Sequence, residues 1–132
     1  MDCIFCKIVA GDIPSYKVYE DENCLAFLDI DPASIGHTLV IPKKHFSNLN
    51  DILDEKLSSL ILSVKKVAKI LQDKLGVKDY QILQNNGRGA GQEVFHIHFH
   101  VIPREINDGQ PHFNHYKYKE GEMSELINKI NF

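Results

Sequence analysis

Val94-Phe95-His96-Ile97-His98-Phe99-His100-Val101-Ile102 is the stretch on which the reading of this chain turns. In an extended strand successive side chains point to opposite faces. The pattern therefore predicts a strand over 94–102 with His96, His98 and His100 on one face and Ile97, Phe99 and Val101 turned to a core. Same-face neighbours stand about 6.5–7 Å apart, so one small ligand can meet two or three imidazoles. Imidazole titrates near neutrality, and such a row can supply a nucleophile, a proton donor and hydrogen bonds to phosphate. A merely solvated face would be served as well by Lys, Thr or Glu, so the clustering favours a chemical role.

Directly upstream lies Asn85-Asn86-Gly87-Arg88-Gly89-Ala90-Gly91-Gln92. Alternate glycines permit unusual backbone angles and close approach, and consecutive amides can form an anion-binding concavity; a plain flexible hairpin loop reads equally well. The segment is neither a Walker A loop, lacking Gly-Lys-Ser/Thr, nor a dinucleotide fingerprint, since Gln92 falls where the last Gly belongs. Further upstream, Leu53, Leu57, Leu60, Ile61, Val64, Ala68, Leu71 and Leu75 step by three and four. This spacing predicts a long amphipathic helix from about Asp51 to Leu75, capped by Asn50 or Asp51 and ended by Gly76 in a left-handed conformation. Lys65, Lys66 and Lys69 fall largely off its apolar face and read as a solvated surface.

Shorter β-leaning runs cover Lys17–Glu20, Cys24–Asp29, Thr38–Pro42 and Tyr80–Asn85, with Asp21-Glu22-Asn23 as a turn joining the first two. Short helices are expected near Ile4–Ala10 and Met123–Ile130, and a loop over Asn107–Gly121. Strands on either side of one long helix point to an antiparallel α+β domain rather than alternating βαβ units.

With 132 residues, 43% of them hydrophobic and 25% charged, the chain is expected to fold as one domain spanning residues 1–132. Its formal net charge of −3 argues against a nucleic-acid or membrane-surface binder, and no apolar run is long enough for a membrane span. An odd cysteine count and the lack of a signal-type N-terminus point to a reduced, cytoplasmic setting. Cys3-Ile4-Phe5-Cys6 has the spacing to clamp one metal through two thiolates, or to remain a reduced pair; a metal would need two further ligands. Cys24, inside the apolar run 24–28, reads as a small core residue, and His112 and His115 as surface histidines.

Gly91-Gln92-Glu93-Val94-Phe95-His96-Ile97-His98-Phe99-His100-Val101-Ile102-Pro103-Arg104 resembles the signature of the histidine triad family of nucleotidyl hydrolases and transferases. Asp29-Ile30-Asp31-Pro32 and Gly36-His37-Thr38-Leu39-Val40-Ile41-Pro42-Lys43-Lys44-His45 resemble the family's pattern too, in the family's order. The likeness covers roughly residues 2–104 and leaves 105–132 as a variable tail; it is nearest the bacterial zinc-containing branch related to purine nucleoside phosphoramidases.

This resemblance implies a five-stranded antiparallel sheet with one long helix and short terminal helices, in a homodimer. It implies hydrolysis at the α-phosphate of purine nucleoside 5′-phosphoramidates or related adenosine conjugates. His98 would be the nucleophile, forming a covalent nucleotidyl-imidazole, while His100 and His37 hydrogen-bond the phosphate oxygens. Asp29 would accept from the ribose hydroxyls, although on residues alone it reads as a turn cap before Pro32. Asn85 and Gly91 would lie near the ribose and phosphate, and Gln92 near the leaving group. Ile4, Phe5, Phe27 and Ile30 would line an apolar cleft for the base. His45 and His96 would complete, with Cys3 and Cys6, a closed structural Zn²⁺ set. Glu93 departs from the Ser of the eukaryotic branch, which unsettles the leaving-group preference. A dinucleoside polyphosphate hydrolase and a nucleotide-binding regulatory protein with low turnover are the competing readings.

Overall fold

Alternation along two central strands sets the layering. In the computed structural model, which describes residues 2–131, β1 (Lys17–Glu20) and β2 (Cys24–Leu28) form a hairpin. One carboxylate oxygen of Asp21 accepts the N–H groups of Asn23 and Cys24, both at 2.8 Å, which closes the expected turn. With β3 (Thr38–Pro42), β4 (Asp79–Gln84) and β5 (Phe99–Arg104) they build a five-stranded antiparallel sheet in the order β1-β2-β3-β5-β4. Cys24 and Ala26 of β2 and Val40 of β3 enter one core, while Leu25, Phe27, Leu39 and Ile41 enter another on the opposite face. The α+β class and strand number are those expected from the sequence.

The long helix α2 (Asp54–Leu75) covers the first face with Leu60, Val64, Val67, Ala68 and Leu71. Gly76, at φ 69°, ends it as predicted, its N–H reaching the carbonyls of Gln72 and Leu71. The other end differs. Asp51 turns its carboxylate back onto the Ser47 N–H at 2.8 Å, while the Asn48 side chain accepts the Asn50 N–H at 3.0 Å in the same turn. The helix opens at Asp54, three residues after the expected Asp51, and Leu53 at its N-cap makes no side-chain bond, so neither Asn50 nor Asp51 caps it. The apolar stripe is also narrower than the periodicity implied: Leu53, Ile61 and Leu75 stay exposed, and Val67 replaces them in the core.

On the opposite face the short helix α1 (Ile4–Ala10) brings Phe5 and Ile8 against Phe27 and Leu39. The tail runs without regular structure to α3 (Glu122–Ile130), none of whose residues is buried. Among the described residues no helix is long and apolar enough to cross a membrane.

The decisive strand needs a correction. β5 starts at Phe99, not Val94, and runs two residues beyond the expected end, to Arg104. Before Phe99 the backbone leaves the ladder: the N–H of Ile97 donates to the Phe46 carbonyl at 2.7 Å. Only His100 of the three histidines therefore sits in the sheet. The alternation predicted the facing of the side chains without requiring strand pairing.

Candidate active site

The uncovered part of the second sheet face is a cavity of about 660 Å³ between α1, the 13–16 segment and the loop before β5. Phe27 and Leu39 contribute from β2 and β3, His100 from β5 beside Leu39, and His98 from the approach to that strand. Of the residues expected to bind nucleotide, Ile4, Phe5, Phe27, Asp29, Ile30, Asn85 and Gly91 all line it. Ile30, 92% exposed, stands at the rim rather than in the cleft. Ile8, Ile13, Pro14, Ser15, Tyr16, Leu28, Leu39 and Val94 also line it and escaped the sequence reading. The segment 13–16 carries no periodicity that would have marked it. Among the described residues, Glu93 and Asp29 are the only charged side chains on the lining, which includes no Lys or Arg.

Burial keeps the cavity's imidazoles neutral. It pushes His98 and His37 below the ordinary value of 6.5 and takes His100 to about 4, helped by repulsion from His98 and His37; the Asp29 carboxylate opposes all three shifts. A neutral imidazole carries one proton, and its partners decide where. The Nδ1 of His98 lies 2.8 Å from the carbonyl of His96, an acceptor only, so Nδ1 is protonated and Nε2 is the bare nitrogen. Phe5 packs edge-on against this ring with centroids 5.2 Å apart.

His37 is held differently. The backbone N–H of Ala33 donates to its Nδ1 at 2.9 Å, so the proton resides on Nε2, which donates to His100 Nδ1 at 2.9 Å. His100 in turn carries its proton on Nε2. His37 is 5% exposed and stands off the cavity lining; it meets the site through His100 and, at 3.6 Å, through the Asp29 carboxylate. Asp29, His37 and His100 bring possible ligand atoms within 4.8 Å, but the two ring nitrogens between the histidines are committed to each other, so the group reads as a hydrogen-bonded cluster rather than a metal site.

Gln92 is turned inward. Its carbonyl oxygen accepts from the Gly87 N–H and its amide donates to the carbonyls of Ser47 and Val94. At 2% exposure it ties the glycine loop together and stands off the cavity lining. That loop contains a single 3₁₀ turn, Arg88–Ala90, closed by Gly91 at φ 91°.

Behind Phe5, the sulfurs of Cys3 and Cys6 and one ring nitrogen each of His45 and His96 all lie within 4.8 Å of one another. His96 donates from Nε2 to the Pro42 carbonyl at 2.8 Å, which leaves Nδ1 unprotonated and aimed at the cluster. Burial and the neighbouring His45 and His98 hold this imidazole at about 4, despite the Pro42 carbonyl, so it is a neutral donor. Zinc bonds of ordinary length in a tetrahedron would separate two nitrogens by about 3.3 Å and a nitrogen from a sulfur by about 3.5 Å. The His45–His96 nitrogens are 3.2 Å apart, and Cys6–His45, Cys3–His96 and Cys6–His96 are 3.3, 3.4 and 3.6 Å apart between sulfur and nitrogen. The donor set fits such an ion. Desolvation, then Cys3, push the Cys6 thiol up, and a bound cation would offset this. Cys24 lies apart in the α2-side core, and His112 and His115 are exposed.

Known proteins resemble this chain in sequence and in fold. The HIT domain family pattern matches residues 10–107. An uncharacterised HIT-like protein of Methanocaldococcus jannaschii is 56% identical over 82% of this chain and 83% of its own. A Schizosaccharomyces pombe protein named adenosine 5′-monophosphoramidase is 52% identical over 79% of this chain and 75% of its own. Among solved structures, a HIT family member from Bacillus subtilis superposes with a TM-score of 0.89 at 44% identity, covering 99% of this chain and 96% of that one. A zinc-bound histidine triad protein from Mycobacterium smegmatis superposes with a TM-score of 0.77 at 44% identity, covering 82% and 78%. With the histidine motif, the sheet and these matches in agreement, the chain belongs to the HIT domain family.

Proposed function

We propose that this chain is a nucleotide phosphoramidase that cleaves the bond between the α-phosphate of a purine nucleoside 5′-phosphate and an amine. The single observation that carries this reading is the His98 tautomer: a neutral ring in the cavity whose Nδ1 proton is fixed on the His96 carbonyl, leaving Nε2 free to attack. In the first step Nε2 bonds to the α-phosphorus as the phosphorus–nitrogen bond breaks, its electron pair leaving on the amine nitrogen, which takes a proton from water. In the second, water attacks the same phosphorus and gives a proton back to solvent as the bond to Nε2 breaks, releasing His98 and the nucleoside monophosphate. The Nε2–H of His100 donates to the phosphate oxygens as their charge grows. Asp29 accepts from the ribose hydroxyls, Asn85 and Gly91 border the phosphate, and the apolar end around Phe5, Phe27, Ile4 and Ile30 takes the base.

The relatives named adenosine 5′-monophosphoramidase support the substrate class. A dinucleoside polyphosphate would bring extra negative charge to a cavity that presents two carboxylates and no basic side chain, which favours the amine. Cys3, Cys6, His45 and His96 would hold a Zn²⁺ ion that fastens α1 to the segment after β3. The zinc-bound neighbour supports this assignment, and a fully protein-ligated ion has a structural role.

Rapid quench with an adenosine phosphoramidate, followed by intact-protein mass spectrometry, tests the proposal. An adenylyl adduct is expected on the native chain and none on His98→Ala, whose turnover should fall at least about a thousandfold, as for removal of a nucleophile. Native-like turnover by His98→Ala would overturn it.

A further inference from the structure

The first turn of the tail, which lies beyond the motif-bearing part of the chain, is tied to the active site by an unbroken series of hydrogen bonds. Arg104, the last residue of β5, grips Asp108 with Nε to one carboxylate oxygen at 2.7 Å and Nη2 to the other at 3.0 Å, and its Nη1 donates to Gln81 of β4 at 2.9 Å. Asp108 also accepts the N–H groups of Glu105 and Gln110 at 3.2 and 3.0 Å. The two side chains lie at the surface, and the two parallel N–H···O bonds make their geometry directional. It fixes residues 105–110 and presents the Gln110 side chain, whose amide donates to the Ala33 carbonyl at 2.7 Å. From the other side Ser34 donates its hydroxyl proton to the Pro103 carbonyl at 2.7 Å. The turn that holds Ala33 is thus anchored twice to the end of β5.

Ala33 is the residue whose N–H sits on His37 Nδ1, and His37 sets His100. We infer that Gln110 and Ser34 are positioning residues for catalysis: by holding Ala33 against His37 they lock His37 and His100 in the tautomers that aim a donor N–H at the phosphate. A turn freed of these two anchors would let the Ala33 N–H drift, and a drift of a few tenths of an ångström weakens a bond at 2.9 Å. His37 could then rotate or carry its proton on Nδ1, and His100 would lose its fixed partner. The cavity lining itself would be unchanged, because neither Gln110 nor Ser34 belongs to it.

The catalytic half of this inference rests on the phosphoramidase reading, whereas the tautomer half does not. Gln110→Ala, Ser34→Ala and their combination are compared with Ser34→Thr, which keeps the hydroxyl. Long-range ¹H–¹⁵N spectra of the histidine rings report tautomers without substrate. The native protein should show His37 and His100 protonated on Nε2 and His98 on Nδ1. In the double variant His37 and His100 should broaden or show a second form while His98 keeps its signature. With an adenosine phosphoramidate, kcat should fall about tenfold in the double variant with KM within about twofold, the split expected for lost transition-state alignment, and Ser34→Thr should restore both readouts. Unchanged ring spectra in the double variant would overturn the inference, whatever the activity. If the native chain does not cleave the phosphoramidate, the functional reading fails while the spectra still decide the tautomer lock. Should the double variant not fold, Gln110→Glu, which replaces the donor with an acceptor facing Ala33, must give the same spectral change for the inference to stand.

Discussion

At the scale of single residues, the chemistry of this site is decided by carbonyls and amides. His96 and His98 each donate to a backbone carbonyl, through Nε2 and Nδ1 respectively, and so expose opposite nitrogens: one toward the sulfur cluster, the other toward the cavity. The same neutrality has a measurable cost. His100 is held at about 4 by burial and by its histidine neighbours, whereas in the unfolded chain it returns to about 6.5. Between these values the unfolded state binds the extra proton, so stability is complete above about pH 6.5 and declines as pH falls toward 4. Thermal melts should show Tm dropping from pH 7 to pH 5, with a shallower drop in His100→Asn; a Tm that rises on acidification would contradict the assignment. Activity follows the same sign. The acid limb of kcat/KM should lie below 6.5. In Asp29→Asn it should move lower still, because the Asp29 carboxylate favours protonation of His37, His98 and His100.

At the scale of elements, α1 connects the two sites. Its N-terminal turn carries Cys3 and Cys6, and between them Phe5 packs on both His96 and His98, with ring centroids 5.9 and 5.2 Å apart. An ion in the Cys/His cluster would therefore fix the wall behind the nucleophile. Zinc removal by chelation, or Cys6→Ser, should lower Tm by about 5 °C or more and reduce kcat, and zinc should restore the chelated protein but not Cys6→Ser. Chelation without effect on Tm would remove the structural role. Elements also show what the sequence could reveal. The period of α2 and its Gly76 end were legible because they follow from local spacing and backbone freedom. Its start was not, because Asp51 bonds back to Ser47 and Asn48 forward to Asn50 within one turn, a competition that composition does not announce. The start of β5 was hidden for a related reason: alternation records which way side chains face, and Ile97 finds its backbone partner in Phe46 rather than in a strand. In the site, Asp29, Asn85, Gly91, His98 and His100 line the cavity, whereas Gln92 and His37 stand off it, held by Ser47 and His100, partners far along the chain that only folding brings near.

At the scale of the whole molecule, the sheet is finished on one side only. The helix α2 covers β2, β3 and β5, and β4 ends the sheet as an edge strand with Tyr80 and Ile82 exposed. Ile82 lies opposite Val101, so these residues share the face that α2 covers elsewhere. Apolar side chains of α2, Ile61 and Leu62, are exposed as well, at 45% and 59%. An edge of six residues without proline or a lysine is a surface that proteins ordinarily cover. A two-fold pairing of β4 with β4 would complete both ladders and bury the same patch on each subunit, the isologous arrangement of the homodimer that the family resemblance implies. The amphipathic α3, with Met123, Leu126, Ile127 and Ile130 exposed, offers a second apolar surface, so the two must be separated by experiment. Sedimentation velocity should show a dimer for the native chain and for Leu126→Lys/Ile130→Lys, and a monomer for Ile61→Lys/Ile82→Lys. The loss is expected because each two-fold interface would then bury four uncompensated charges, and even a few kcal/mol per pair exceeds what a modest interface can spare. The opposite pattern, a dimer that survives at β4 and dissolves with α3, would move the interface to the tail and separate it from the edge of the sheet.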